Sequence, residues 1–183
     1  MELISDEYQK DLEHAHVTRA DFGKRSSQWA EPVMQICAAM QSNDVLDYGC
    51  GKGELNLHMP FAVRGYDPGI PKYAVAPEPA DIVVCTDVLE HIEPEHLDAV
   101  LDHMKSLTKS VLLLHVSTIP AVKHFPDGRN YHLIVEDPDW WMEKLKGWES
   151  ASDIEHLRID RDIPDNRNLK AGDSIGFTVM LRP

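Results

Sequence analysis

The chain is poor in cysteine, in positive charge and in long apolar runs, and each shortage closes off a class of protein. Its three cysteines, Cys37, Cys50 and Cys85, sit in apolar surroundings and never fall at CxxC spacing. That argues against a zinc site, a dithiol redox pair or a disulfide framework, and reads them as reduced core thiols. No stretch approaches the roughly 20 consecutive apolar residues that cross a bilayer. The polar start MELISDEYQKDLEHAH also lacks the basic-then-apolar layout of a secretory signal. The expectation is a soluble, cytoplasmic protein with no membrane partner. Eighteen Lys and Arg face 31 Asp and Glu, a formal charge of -13 that repels polyphosphate unless basic residues gather on one face. Duplex DNA is not expected as a partner. The acidic residues are spread along the chain and read as a solvated surface, which suits a small or uncharged partner better.

What is present is enough for one well-formed core in 183 residues, read as a single domain over 1–183 with residues 1–25 as an N-terminal arm or lid. Ser26 to Gln41 reads as a helix leading into the core. Val45 to Tyr48 reads as a strand, followed by a glycine-rich turn, a short helix from Glu54 to Met59 and a second strand from Ala62 to Asp67. After a proline-rich connection, Asp81 to Asp87 reads as a buried strand, Pro94 to Leu107 as an amphipathic helix and Ser110 to Ser117 as another buried strand. A long loop spans Thr118 to Asp137, a length that favours a functional role. PDWWMEKLKGW then reads as a helix, and Ile154 to Ile159 and Ser174 to Leu181 as terminal strands able to pair antiparallel. Strands alternating with helices imply an α/β fold with a mainly parallel sheet.

In VLDYGCGKGEL, a hydrophobic strand carries Asp47 near its end and then places glycines at 49, 51 and 53 before a helix. Glycine lets the backbone turn tightly and approach a ligand, and the following helix start offers unpaired N–H groups. The same spacing also occurs as a plain turn. An anion at Asp47 would repel a pyrophosphate but suits a ligand carrying an ammonium, such as S-adenosylmethionine. Asp67, in GYDP, can accept two hydrogen bonds from a ribose diol, or simply shape a turn before Pro68.

VLDYGCGKG, YDP, DIVVCTDVLEHIEP and VLLLHVS, in that order over residues 43 to 118, resemble the class I S-adenosylmethionine-dependent methyltransferases. The resemblance implies a Rossmann-like methyltransferase fold, mainly parallel with an antiparallel terminal strand. It implies that Asp47, Gly49, Cys50 and Gly51 contact the methionine moiety, that Asp67 holds the ribose hydroxyls, and that Thr86 and Asp87 border the methyl group. One departure stands out: only Pro68 to Ala80, with four prolines, replace the usual helix and strand between strands 2 and 4. The sheet is therefore expected to lose a strand there or keep a short one near Lys72 to Val75, which puts the usual adenine-contacting loop in doubt.

Asp87, Glu90 and His91 fall at offsets that put them on one face of a helical turn, with His132 in the later loop. This set resembles the arrangement in small-RNA 2'-O-methyltransferases and ubiquinone-pathway O-methyltransferases, which implies Mg or Mn held by Asp87, Glu90, His91 and His132. The other reading keeps the site metal-free, with His91, Glu90 and His132 as catalytic or acceptor-orienting groups and His91 as general base. His115 reads as a core histidine, and His14, His16, His96 and His103 as solvated. The GRN-x-H stretch before Trp140 and Trp141 is similar to small methyltransferase-like proteins of phages and bacteria. The tryptophans read as packing residues, with only one facing inward. Tyr8, His16 and Phe22 are expected to close above the cofactor. The acceptor is expected to be a small polar molecule methylated on O rather than N. Two alternatives stay open, a noncatalytic S-adenosylmethionine-binding partner module and a methyltransferase acting on a nucleotide or RNA end. A nicotinamide-dependent oxidoreductase is disfavoured by Asp47 and the missing GxGxxG.

Overall fold

The computed structural model describes residues 2–18, 25–150 and 176–183. Its centre is a six-stranded sheet in the order β2-β1-β3-β4-β6-β5. β1 (Val45–Tyr48), β2 (Arg64–Tyr66), β3 (Ala80–Thr86) and β4 (Thr108–Ser117) run parallel. β6 (Gly176–Arg182) pairs antiparallel with β4, and β5 (Glu149–Ser150) antiparallel with β6. The expected mainly parallel α/β sheet with an antiparallel terminal strand is thus present. The expected strand at Ile154 to Ile159 lies outside the described residues.

The central strands are nearly continuous apolar runs because both faces are covered. Alternate residues feed the two layers. Val83, Cys85, Leu112 and Leu114 pack with α4 (Leu97–Leu107) and with Trp141 of α5 (Pro138–Lys144). Ile82, Val84, Val111 and Leu113 pack with Trp29 and with Val33 and Ile36 of α2 (Ala30–Met40). The helix read from Ser26 divides into a 3-10 turn, Arg25–Trp29, and α2, which ends at Gln41 in the left-handed region, φ 53. α5 starts on Asp137, whose Oδ1 accepts from the Trp140 amide at 2.8 Å, with Pro138 in the first turn where its missing N–H costs nothing. Trp141 is fully buried and Trp140 only partly, so one of the pair faces inward.

Between β2 and β3 the chain forms no strand, only a 3-10 turn at Pro71–Tyr73. Arg64 fastens this proline-rich connection to the sheet edge, donating to the carbonyls of Glu78 (2.8 Å) and Pro79 (3.2 Å) and to Asp44 Oδ1 (2.6 Å). The N-terminal segment is helical, α1 (Asp6–Thr18), and crosses the carboxyl ends of the strands: Tyr8 and Leu12 line the same cavity as the glycine turn. No helix among the described residues is long and apolar enough to cross a membrane. Cys37, Cys50 and Cys85 are free and buried, as read from the sequence.

Candidate active site

The carboxyl ends of the parallel strands open onto a cavity of about 610 Å³, the place where open α/β sheets take their ligands. Behind β1, Gly49, Gly51 and Gly53 all have positive φ (75, 53 and 76°). At Gly49 a side chain has no room, because a Cβ there would stand 2.4 Å from Val88 Cγ2. The turn is tied to β2 by the amides of Gly49 and Cys50, which donate to the Tyr66 carbonyl at 2.7 and 3.0 Å. It is tied to Asp67 by the Gly51 amide, 2.9 Å from Oδ2, while Gly69 N donates to Oδ1 at 2.9 Å. α3 (Glu54–Leu57) follows, two residues shorter than read.

The polar atoms at this edge are short of partners. Asp47 is buried, and burial together with the nearby Asp67 charge raises its pKa to about 7. Its Oδ2, the Thr86 hydroxyl and Asp87 Oδ2 are all buried with no hydrogen-bond partner among the described residues. Buried acceptors left unpaired are costly and rare, so the ends of β1 and β3 fit a ligand that brings donors or positive charge. Gly49, Gly51, Asp67, Thr86 and Asp87 line the large cavity. Asp47 opens instead onto a smaller one of about 180 Å³, and Cys50 lines both. Burial also raises Asp67, against the two amide hydrogen bonds that favour its anion.

Just past the end of β3 at Thr86, Asp87 takes the left-handed conformation (φ 57) and donates its amide to the His115 carbonyl at 3.1 Å. A 3-10 turn, Leu89–His91, follows. Glu90 is fully buried, and its Oε1 accepts from the Ser117 amide at 3.1 Å. His91 Nδ1 lies 2.7 Å from the Tyr131 carbonyl and His132 Nδ1 lies 2.5 Å from the Ile119 carbonyl. A carbonyl only accepts, so both rings donate from Nδ1, and a neutral ring so held has its lone pair on Nε2. The two rings meet edge to face, 4.8 Å between centroids. Ligand atoms of Glu90, His91 and His132 lie within 4.8 Å of one another. Donors about 2.1 Å from one ion stand at most about 4.2 Å apart, so this trio fits a small divalent cation after a slight contraction. Asp87, expected as a fourth donor, is not in the group. Its turn in the left-handed region directs Oδ1 to within 3.7 Å of His115 Nε2.

Burial, and secondarily the neighbouring His132, lowers the His91 pKa to about 3 despite the opposing hydrogen bond to Tyr131. Three histidines read as solvated, His16, His96 and His103, are half-buried. His16 lines the cavity, and burial with the nearby Lys52 charge lowers its pKa to about 4. His103 Nδ1 lies 2.9 Å from the Tyr48 hydroxyl. Helical spacing carried the signal for His16 and His103: Tyr8, Leu12 and His16 follow one stripe, as do Val100, His103 and Leu107. His14 is exposed, and His96 stands 3.8 Å from Glu93. His115 is buried, its Nδ1 2.8 Å from the Thr178 hydroxyl. Phe22 lies outside the described residues.

The model of a family described as a methyltransferase domain matches residues 22–162. No curated protein sequence matches the chain. Among solved structures, a DhpI–SAH complex aligns with a TM-score of 0.54 at 12% identity, covering 96% of both chains. The magnesium protoporphyrin IX methyltransferase ChlM of Synechocystis PCC 6803 with bound SAH aligns at 0.54 and 18% identity, over 97% of both. The mitomycin 7-O-methyltransferase MmcR aligns at 0.50 and 13% identity, over 93% of this chain and 60% of that one. At such identities the likeness is one of fold.

Proposed function

This chain belongs to the methyltransferase-domain family as a class I S-adenosylmethionine-dependent methyltransferase, and from that premise we propose that it methylates an oxygen of a small polar acceptor. The observation that carries the reading is the meeting of two unlike groups in one cavity: the unpartnered Thr86 hydroxyl and Asp87 Oδ2 at and just after the end of β3, and the His91–His132 pair backed by buried Glu90. When bound, S-adenosylmethionine supplies a sulfonium-activated methyl carbon for in-line displacement. Asp47 answers its ammonium, the Gly49–Gly51 backbone lets the ligand close on the sheet, and Asp67 holds the ribose hydroxyls, each carboxylate oxygen keeping a second lone pair beyond its amide bond.

On the acceptor side, His91 and His132 present Nε2 lone pairs fixed in direction by their Nδ1–H bonds to backbone carbonyls. They orient the acceptor hydroxyl, and one of them takes the single proton that the hydroxyl gives up. α1 closes the cavity and excludes water, so alignment carries most of the rate, worth up to roughly 7 to 11 kcal/mol. Glu90, His91 and His132 are also the residues that would hold Mg or Mn, whose contribution is to lower the pKa of a hydroxyl.

The reading is tested by calorimetric titration with S-adenosylhomocysteine, followed by an acceptor screen that monitors its release with Mg, Mn or EDTA present. Binding that disappears in Asp47→Ala, and turnover with hydroxyl but not amine acceptors that drops at least about 100-fold in His91→Ala, is expected. A folded wild type that binds no S-adenosylhomocysteine would overturn it.

A further inference from the structure

The long loop after β4 carries the GRN-x-H stretch, and only its histidine has a part in the proposed function. The loop folds back on itself. The Phe125 amide donates to the Arg129 carbonyl at 2.8 Å, His124 bridges to Asn130, and the Tyr131 amide donates to the Lys123 carbonyl at 3.3 Å. At the base of this hairpin Asn130 uses every hydrogen-bonding position of its side chain. Its Oδ1 accepts from the amides of Ala121 and His132, both at 2.9 Å. Its Nδ2 donates to the Ala121 carbonyl at 2.8 Å and stands 3.3 Å from His124 Nε2. An asparagine side chain has two lone pairs and two N–H groups, so none is left over. The reverse orientation would set its NH2 against two donors and its oxygen against a carbonyl, so the network fixes the amide.

Resting on that reading of the site, we propose that Asn130 is a positioning residue that aims His132 at the acceptor hydroxyl. Asn130 stands behind the cavity wall that Ala121, Tyr131 and His132 help to form. It acts on both sides of the bond that fixes the ring. On one strand of the hairpin it holds the amide of His132 itself. On the other it grips Ala121 by both backbone groups, and Ile119, two residues earlier, offers the carbonyl that accepts from His132 Nδ1 at 2.5 Å. A neutral imidazole has two tautomers, and the partner of one nitrogen decides which nitrogen keeps the lone pair. Without the clamp the two strands can part, and the ring loses both its direction and its preferred tautomer. His91 is held differently. Its Nδ1 lies 2.7 Å from the Tyr131 carbonyl, and the buried Tyr131 ring packs on Phe125 with 4.1 Å between centroids. His91 therefore serves as an internal reference.

The role is tested by nitrogen NMR of the full chain labelled in its histidine rings, with EDTA present so that no cation holds Nε2, before and after Asn130→Ala. Wild-type His91 and His132 should each show a single tautomer with the proton on Nδ1. In Asn130→Ala, His132 should pass to a mixture of both tautomers, while His91 keeps its own and S-adenosylhomocysteine binds as in the wild type. In the acceptor assay kcat should fall about tenfold or more, the scale of a misplaced reacting group. A His132 signal that stays unchanged, that changes together with His91, or that changes with loss of S-adenosylhomocysteine binding would make Asn130 a loop-shaping residue only and overturn the proposal. A wild-type His132 without the Nδ1–H tautomer, or a wild-type kcat in Asn130→Ala, overturns it as well. If Asn130→Ala does not fold, Asn130→Asp reads the same signal, because it keeps the two accepted bonds but turns a second oxygen on the Ala121 carbonyl. A mixed His132 tautomer there supports the role, and an unchanged one overturns it. A wild type that binds no S-adenosylhomocysteine fails the proposed function itself, and is seen before any substitution is made.

Discussion

Asp47 sets a tension between stability and ligand binding in a single side chain. An unfolded carboxyl titrates near 3.8, and this one titrates at about 7, raised by burial and then by Asp67. Between those values the folded chain holds a proton that the unfolded chain has released, so the contribution to stability is present at low pH and lost as pH rises toward 7. Asp47→Asn should therefore stabilise the ligand-free protein at pH 8 by on the order of 2 to 4 kcal/mol, with little change at pH 4, in denaturant titrations. The same substitution should weaken S-adenosylhomocysteine binding, because the ammonium needs the anion. Gly49 is a second position where one atom decides. Gly49→Ala meets both a φ of 75° and the Val88 methyl, and should cost about 2 kcal/mol or more. Adding Val88→Ala should recover only part of that loss, since the clash is relieved and the backbone strain is not. Full recovery in thermal or chemical unfolding would mean that φ was never the constraint.

α1 buries Tyr8 and Ala15 in a small apolar cluster with Phe125 and Tyr131, and polar contacts fasten it over the cavity. Ser5 donates twice to Glu93, through N at 2.9 Å and Oγ at 2.6 Å, Tyr8 Oη donates to the His91 carbonyl at 2.7 Å, and Gln9 Nε2 to the Pro68 carbonyl at 3.0 Å. Each attaches the helix to a different wall of the cavity. Tyr8→Phe keeps the ring against Phe125 but removes a bond worth about 1 kcal/mol, so protease cleavage within residues 2–18 should accelerate several-fold. An unchanged cleavage rate would show that the tie does not hold the helix. The central strands and the glycine turn were legible because their signals are local: an unbroken apolar run, then glycines at fixed spacing. The placement of α1 over the site was not, since the bonds that seat it join residues 59 to 88 positions apart. His103 was misread for a related reason. Its spacing with Val100 and Leu107 marks a buried face, but its polarity outweighed that pattern until Tyr48, from a distant strand, supplied the hydrogen bond. Asp87 escaped the donor group read from its offset because the offset assumes a helical turn, and the backbone there is left-handed instead.

For the molecule as a whole, the buried groups oppose one another in pH. His91 and His16 titrate at about 3 and about 4 in the fold, against 6.5 in the unfolded chain. The unfolded chain therefore takes up protons below 6.5 that the fold refuses, and the stability these histidines lend is lost as the medium acidifies. Asp47 runs the other way up to about 7, with Asp67 raised in the same sense. Between pH 4 and 6 the two histidines outweigh Asp47 by about one proton, roughly 1.4 kcal/mol per pH unit. At pH 6.5 each unfolded histidine is still half protonated, so the histidine contribution fades only above it and about balances that of Asp47 near pH 7. Ligand-free protein should thus reach a broad stability maximum near pH 7. Saturating S-adenosylhomocysteine removes that opposition: its ammonium keeps Asp47 charged in the fold as in the unfolded chain, so the acid limb between pH 4 and 6 should steepen from about one proton to about two. Urea unfolding across the acid limb, with and without the ligand, reads that slope directly. If the acid limb keeps its ligand-free slope under saturation, Asp47 is not the group that meets the ammonium, and the buried carboxylate at the end of β1 serves something other than the cofactor.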